Sequence, residues 1–225
     1  MAFGTTTADS SGIPIGCVYV PGVGFKALQG GSVNTDGSSN DSAPARMELV
    51  PGSKATYGYA RSTFAIAATP TDVAIINGSA SKTVRITRIE IDALCTAATA
   101  AALEIQLIKR STANAGGTTT GSPTGVPYDS ANGAATALML CYTANPTTPG
   151  TSLGIIRDGK LVPVLSPYTA TDFPTHDRLV FQFGDRPGTQ GLVLRGVAEG
   201  LAINLAGAAI PAGLSMGISI ETTEE

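Results

Sequence analysis

The sequence predicts an all-β protein, an antiparallel β-sandwich of jelly-roll type carrying an extended N-terminal arm. Three observations lead there. Apolar residues recur with period two in short runs from Ser62 to the C-terminal end. Gly, Pro, Asn or Asp closes nearly every run. No stretch sustains a helical period with caps at its ends. Many short alternating strands with turn punctuation indicate a sandwich or barrel. The core region is too long for a seven-stranded immunoglobulin domain of about 100 residues, so eight strands in a jelly roll fit better.

Residues 1–60 read as the arm. Gly, Ser, Thr, Asn and Pro dominate, as in Gly30-Gly31-Ser32 and in Asp36 to Ser42, and short apolar islands interrupt them. Those islands supply the candidate partner contacts Val18, Tyr19, Val20, Phe25, Met47, Leu49, Tyr57 and Tyr59. They are too few and too dispersed to fold alone, yet too apolar for a solvated tail, so another subunit is expected to bury them.

Residues 61–225 read as the sandwich. Phe64 and Ile66 open it, and Val73 to Ile76 runs into Asn77-Gly78, a strong hairpin signal because both residue types tolerate positive φ. In Thr83 to Ile91, Val84 and Ile86 share one phase and Ile89 and Ile91 the other, which predicts a β-bulge near Thr87-Arg88. Leu103, Ile105 and Leu107 alternate next, then Leu138, Leu140 and Tyr142. Leu161 to Leu165 flank Pro163, so an edge strand is expected there. Leu179, Phe181 and Phe183, then Leu192 to Leu194, then Leu201, Ile203 and Leu205, and finally Leu214, Met216, Ile218 and Ile220 complete the set. The inward set is expected to include Phe64, Ile66, Leu103, Ile105, Leu107, Leu179, Phe181, Phe183, Leu201, Ile203, Ile218 and Ile220. Ala93 to Leu103 has helix propensity, but Thr96, Thr99 and missing caps leave room for one turn at most. Ser111 to Ala135 has no apolar period, and loops of that length are usually functional or mobile.

Composition excludes several functions. The 225 residues carry 14 Lys+Arg against 17 Asp+Glu, a net charge of -3, so no nonspecific grip on nucleic acid is written into the chain. Charged residues are 14%, well below the usual quarter, and the chain is too apolar to be mostly disordered. No run reaches the ~18 uninterrupted apolar residues of a membrane span. The first residues, Met1 to Ala8, show no basic segment followed by an apolar one, so no signal peptide is expected. Cys17, Cys95 and Cys141 are odd in number and far apart, which fits buried thiols made in a reducing cytoplasm.

Candidate chemistry is sparse. Gly213-Leu214-Ser215-Met216-Gly217 matches G-x-S-x-G, but Ser215 lies in an alternating strand and no His follows it. Gly22 to Ala27 mimics a dinucleotide fingerprint without the helix and βαβ rhythm that the fingerprint requires. His176, beside Asp177, is the single imidazole and no motif ties a nucleophile to it. No metal-ligand spacing is present. Arg85, Arg88, Lys109 and Arg110 read as solvated strand residues. The expectation is a protein that is not an enzyme, with no catalytic, cofactor or metal residues and no cofactor.

Two stretches carry a family resemblance: Asn77 to Ile89, reading NGSASKTVRITRI, and Leu107 to Thr118, reading LIKRSTANAGGT. It continues through Val126 to Ser130, Tyr142 to Pro146 and the ending Ile218 to Glu225. These phrases, spread over roughly residues 62–225, resemble small β-rich virion structural proteins of tailed bacteriophages, of decoration, head-fibre or neck and tail type. The resemblance implies a structural component of the particle, made in the host bacterial cytoplasm and located in the virion. Its partners would be the major capsid protein or neck and tail proteins, in a homo-oligomer with a trimer favoured. A capsid decoration or cement protein held by its arm comes first. A neck, collar or tail/fibre protein and a host-attachment, carbohydrate-binding module are the alternatives. Sugar sites usually cluster aromatics, and here Trp is absent and aromatics are 5%.

Overall fold

The computed structural model describes residues 17–20, 24–27, 54–96, 102–165, 178–184 and 190–225. Every element among them is a strand, so no helix there is long and apolar enough to cross a membrane. The chain divides into two units, residues 1–51 and 52–225. In the first, β1 (Cys17–Val20) and β2 (Gly24–Ala27) form an antiparallel pair with Tyr19 opposite Phe25 and Val18 opposite Lys26.

The second unit runs β3 (Ala55–Ala65), β4 (Asp72–Asn77), β5 (Thr83–Cys95), β6 (Leu103–Arg110), β7 (Thr118–Thr119), β8 (Val126–Pro127), β9 (Leu138–Ala144) and β10 (Ser152–Leu161). It continues with β11 (Val164–Leu165), β12 (Leu179–Gln182), β13 (Leu192–Arg195), β14 (Gly200–Asn204) and β15 (Ser215–Glu224). One sheet has the order β8-β3-β15-β5, with β11, β12 and β13 following one another along the far side of β5. The other has the order β10-β6-β14-β4-β9-β7. The long strands pair antiparallel, and the two-residue β11 runs parallel to the end of β5.

The topology is that of a jelly roll. The chain passes between sheets at each step from β3 through β4 and β5 to β6, and again from β13 through β14 to β15. The four-strand cores are therefore β3-β15-β5 with β12 and β13, facing β4-β14-β6 with β10, which is two wound Greek keys. Strand β9 is an addition beside β4.

Period two builds the interior. Tyr57, Tyr59, Ile86, Ile89, Ile91, Met216, Ile218 and Ile220 of the first sheet meet Ile76, Ile105, Leu107, Met139, Leu201 and Ile203 of the second, all buried. Each such side chain contributes about 1.5–3 kcal/mol when taken fully from water. All of the expected inward set lies in this core or packs against it; Ile66, Leu179 and Phe183 are its half-buried members. The predicted bulge is present: Ile86 pairs with Thr222 and Arg88 with Glu221, so Thr87 is the extra residue. It lets Val84, Ile86, Ile89 and Ile91 all face inward.

Four expectations are corrected. The sandwich begins at β3, before residue 61, because Ala55–Ala65 pairs along the length of β15. Asn77-Gly78 makes no hairpin. Asn77 ends β4 and the chain crosses to β5 in the other sheet, with the Gly78 N–H donating to the Glu199 carbonyl at 2.9 Å. Glycine is needed there for close approach, since a Cβ on Gly78 would lie 2.5 Å from the Gly196 carbonyl oxygen. Ser111 to Ala135 is not structureless: it holds β7, β8 and a bridge from Ala115 to Thr148. No single strand crosses Pro163: β10 ends at Leu161 on the border of one sheet, and β11 (Val164–Leu165) lies on the border of the other.

Candidate interaction surface

The arm residues divide. Val18, Tyr19 and Val20 lie on β1 and Phe25 on β2, whereas Met47, Leu49 and also His176 lie outside the described residues. Tyr57 and Tyr59 contradict the partner-contact expectation, because both are completely buried in the sandwich of their own chain. The Tyr57 hydroxyl donates to the Gly133 carbonyl at 3.0 Å, and that of Tyr59 to the Ala137 carbonyl at 3.1 Å and to Glu224 Oε1 at 3.4 Å. Burial first, then the Glu224 carboxylate, pushes the Tyr59 phenol far above its ordinary range. Period two along β3 turns both rings inward, while Gly58 between them faces outward beneath the Tyr128 ring.

The weak motifs take ordinary places. Ser215 opens β15 between the buried Leu214 and Met216. Gly24–Ala27 is a strand, so the glycines before it open no helix. Cys95 and Cys141 are buried in opposite sheets; burial pushes the Cys141 thiol up to about 11, with nearby Arg61 pulling the other way. Among the described residues no three His, Cys, Asp or Glu side chains gather to hold a metal ion. The outer face of the first sheet has a shallow depression of about 400 Å³, with a floor including Ala60, Gly217 and Ser219. Of its two carboxylates, Glu90 and Asp92, Glu90 is paired with both Arg88 and Arg178.

Two buried polar clamps shape the long loop. Asp72, fully buried on β4, accepts from Arg110 Nη2 at 2.6 Å, Asn204 Nδ2 at 2.6 Å and Asn114 Nδ2 at 2.8 Å. Arg110 Nη1 also donates to the Gly150 carbonyl at 2.5 Å, and the Gly150 N–H donates to Asn114 Oδ1 at 2.8 Å. These bonds tie the segments after β6 and before β10 to each other and to β4. At the other clamp Glu224 accepts from the N–H of Ala137 at 3.0 Å, and from the N–H of Thr136 at 2.9 Å and its hydroxyl at 2.7 Å. Burial works against the Glu224 charge, but these donors and Lys82 outweigh it and hold the carboxyl below its ordinary value.

Most of the exposed large apolar side chains sit on the borders of the sheets, Val197 in the turn after β13 and Val162 after β10 apart. On β10, Leu153 is 60% exposed and Ile155 55%, and Ile156 is exposed beside them. A groove of about 370 Å³ runs from Ile156 and Arg157 to Phe183 and Leu192, between β10 and the strands along β5. On the opposite border Val126 of β8 is 65% exposed and Tyr128 66%, with Leu138 of β9 nearby. Sequence reasoning overlooked Leu153, Ile155 and Ile156. Their signal was an apolar run between Pro149-Gly150 and Pro163 that lacks a clean period of two. Such an arrangement has apolar area and unpaired strand backbone to offer another protein. The chain matches no protein-family model, and searches of curated proteins and of solved structures give no match to it either.

Proposed function

We propose that the protein is a non-enzymatic structural component of a tailed-phage virion, made in the host bacterial cytoplasm and incorporated as a homo-oligomeric capsid decoration protein, a trimer being favoured. The observation that carries this reading is the placement of exposed apolar side chains on the two borders of the sandwich, while the buried Asp72, Arg110 and Glu224 are engaged in internal clamps. A building block needs docking borders and a rigid core, and it needs no reactive site. The resemblance of residues 62–225 to small phage virion proteins supports the setting. Within it, Val18, Tyr19, Val20, Phe25, Met47 and Leu49 of the first unit serve as the anchor to the major capsid protein.

Two measurements test the proposal. Quantitative mass spectrometry of purified particles should find the chain in hundreds of copies; a dozen or so would place it in the neck, collar or tail, and absence would overturn the reading. Deleting residues 1–51 should leave a folded sandwich that no longer joins particles, and unchanged incorporation would remove the anchor role. The exposed ring of Tyr128, whose hydroxyl donates to Glu221 Oε2 at 3.0 Å, favours a host-attachment module as the second reading. Glycan binding abolished by Tyr128→Ala would establish it.

A further inference from the structure

We propose that copies of this chain associate head to tail, the β10 border of one sandwich seating against the β8–β9 border of the next. This deepens the homo-oligomer within the proposed function by naming its two surfaces, and it concerns the purified chain in the absence of particles.

The two borders lie on opposite flanks. Strand β10 packs beside β12 at one flank, and β9 packs beside β3 at the other. At the first, Leu153, Ile155 and Ile156 of β10 stand out with Val180 of β12. At the second stand Val126, Tyr128 and Leu138. Both borders also have backbone to spare. Among the described residues, β10 is bonded on one side only, by β6. Among the described residues, β8 pairs with Tyr57 and Gly58 of β3 and the chain adds one bond from the Tyr128 N–H to the Thr56 carbonyl, while β7 pairs with Tyr142 and Ala144 of β9 and adds one from the Thr120 N–H to the Cys141 carbonyl, leaving Leu138 at the margin.

Three features select unlike borders over like ones. First, β10 carries Arg157, Asp158 and Lys160, a net positive strip, whereas the second border carries the exposed Asp129. Unlike borders bring opposite net charges together, whereas like borders bring equal ones together. Second, β10 breaks register between Ser152 and Gly154 and again between Ile155 and Arg157, with Gly154 at φ 128. Bulges of this kind spoil the straight ladder that two copies of one edge strand would need. Third, each copy has one border of each type, so the contact can repeat from copy to copy. The area suffices. A ten-residue strand spans about 33 Å, and two sheets about 10 Å apart with their side chains give a flank about 20 Å deep. The resulting ~700 Å² is close to the ~800 Å² that each partner contributes to a stable interface.

The test is complementation between two border variants, read by light scattering coupled to size exclusion. The full chain should run as an oligomer. Ile155→Asp on the β10 border and Val126→Asp on the opposite border should each run as a monomer with an unchanged thermal melt. Mixed in equal amounts, the two variants retain one intact border each, so they should form a dimer and nothing larger. Leu153→Lys and Tyr128→Lys form a second pair that should behave identically, so misfolding of one variant leaves the result readable. A monomeric wild-type chain at micromolar concentrations overturns the proposal. So does an oligomer that survives either substitution, which would mean a contact between like borders or through the first unit. A mixture that stays monomeric overturns it as well. None of these outcomes depends on whether the chain is found in particles, so a failure here and a failure of the virion reading are separate results.

Discussion

Replacing Asp72 by alanine should be among the most damaging single changes in the sandwich. The carboxylate is fully buried and receives Arg110, Asn204 and Asn114 at 2.6, 2.6 and 2.8 Å. The Arg110 side chain is itself only 6% exposed. In Asp72→Ala its guanidinium keeps the Gly150 carbonyl and loses its counter-charge, and two amide donors lose their acceptor. Removing one partner of a buried ion pair typically costs about 3–5 kcal/mol. With a urea m-value of about 2–3 kcal/mol per M, the midpoint should fall by ~1–2.5 M. Hydrogen exchange supplies the local readout: amides of Ala115 and Gly150 should lose protection, because the clamp ties the segment after β6 to the one before β10. The double variant Asp72→Ala, Arg110→Met should recover part of the loss, since no unpaired buried charge remains in it. A single-variant midpoint within about 0.3 M of wild type, or strict additivity in the double variant, would refute the reasoning.

Three further outcomes follow from the packing. Glu224 has its pKa lowered in the fold, so its contribution is fully present above the unfolded carboxylate value and is lost as pH falls through the folded one; urea midpoints should drop on acidification, and Glu224→Gln should flatten that dependence. Gly150→Ala should cost more than about 2 kcal/mol and open the same two segments, because its Cβ would fall 1.8 Å from the Thr112 carbonyl oxygen; an unchanged melt would refute that contact. Phe181→Ala removes a ring packed in the core and should lower stability by about 3 kcal/mol, checked by urea titration.

Much of the architecture was legible because period two and turn chemistry are local. Leu103, Ile105 and Leu107 announce β6, and the phase slip between Ile86 and Ile89 announces the bulge at Thr87. The errors arose where a distant neighbour decides a residue's role. Ala55 to Ala60 looked like the end of a Gly- and Ser-rich arm because its outward positions Gly58 and Ala60 are small. Gly58 is small because the Tyr128 ring, seventy residues away in the chain, lies over it. Asn77-Gly78 has the chemistry of a two-residue turn, but the approach of Gly196 explains its glycine. The loop clamps were equally hidden. Asp72 finds its partners at separations of 38, 42 and 132 residues, and no motif marks them.

The candidate surface was less legible than the fold, and the reason is general to sandwiches. Ile105 and Ile155 are the same residue type on adjacent, paired strands, yet one is fully buried and the other 55% exposed. Hydrophobicity does not distinguish them. Strand order does, because β6 has β14 and β10 on its two sides while β10, among the described residues, has only β6. The tyrosines show the same reversal. Tyr57 and Tyr59 sit in a polar stretch and read as contacts for a partner, but β3 pairs along β15 and closes over them. Tyr128 sits in the long loop and passed as part of it, but the short β8 carries it to the open side of β3. An apolar side chain in a jelly roll becomes a docking residue when its strand runs out of neighbours. Among the described residues that condition holds at β10 and at β8, and the proposed contact between copies uses these two borders.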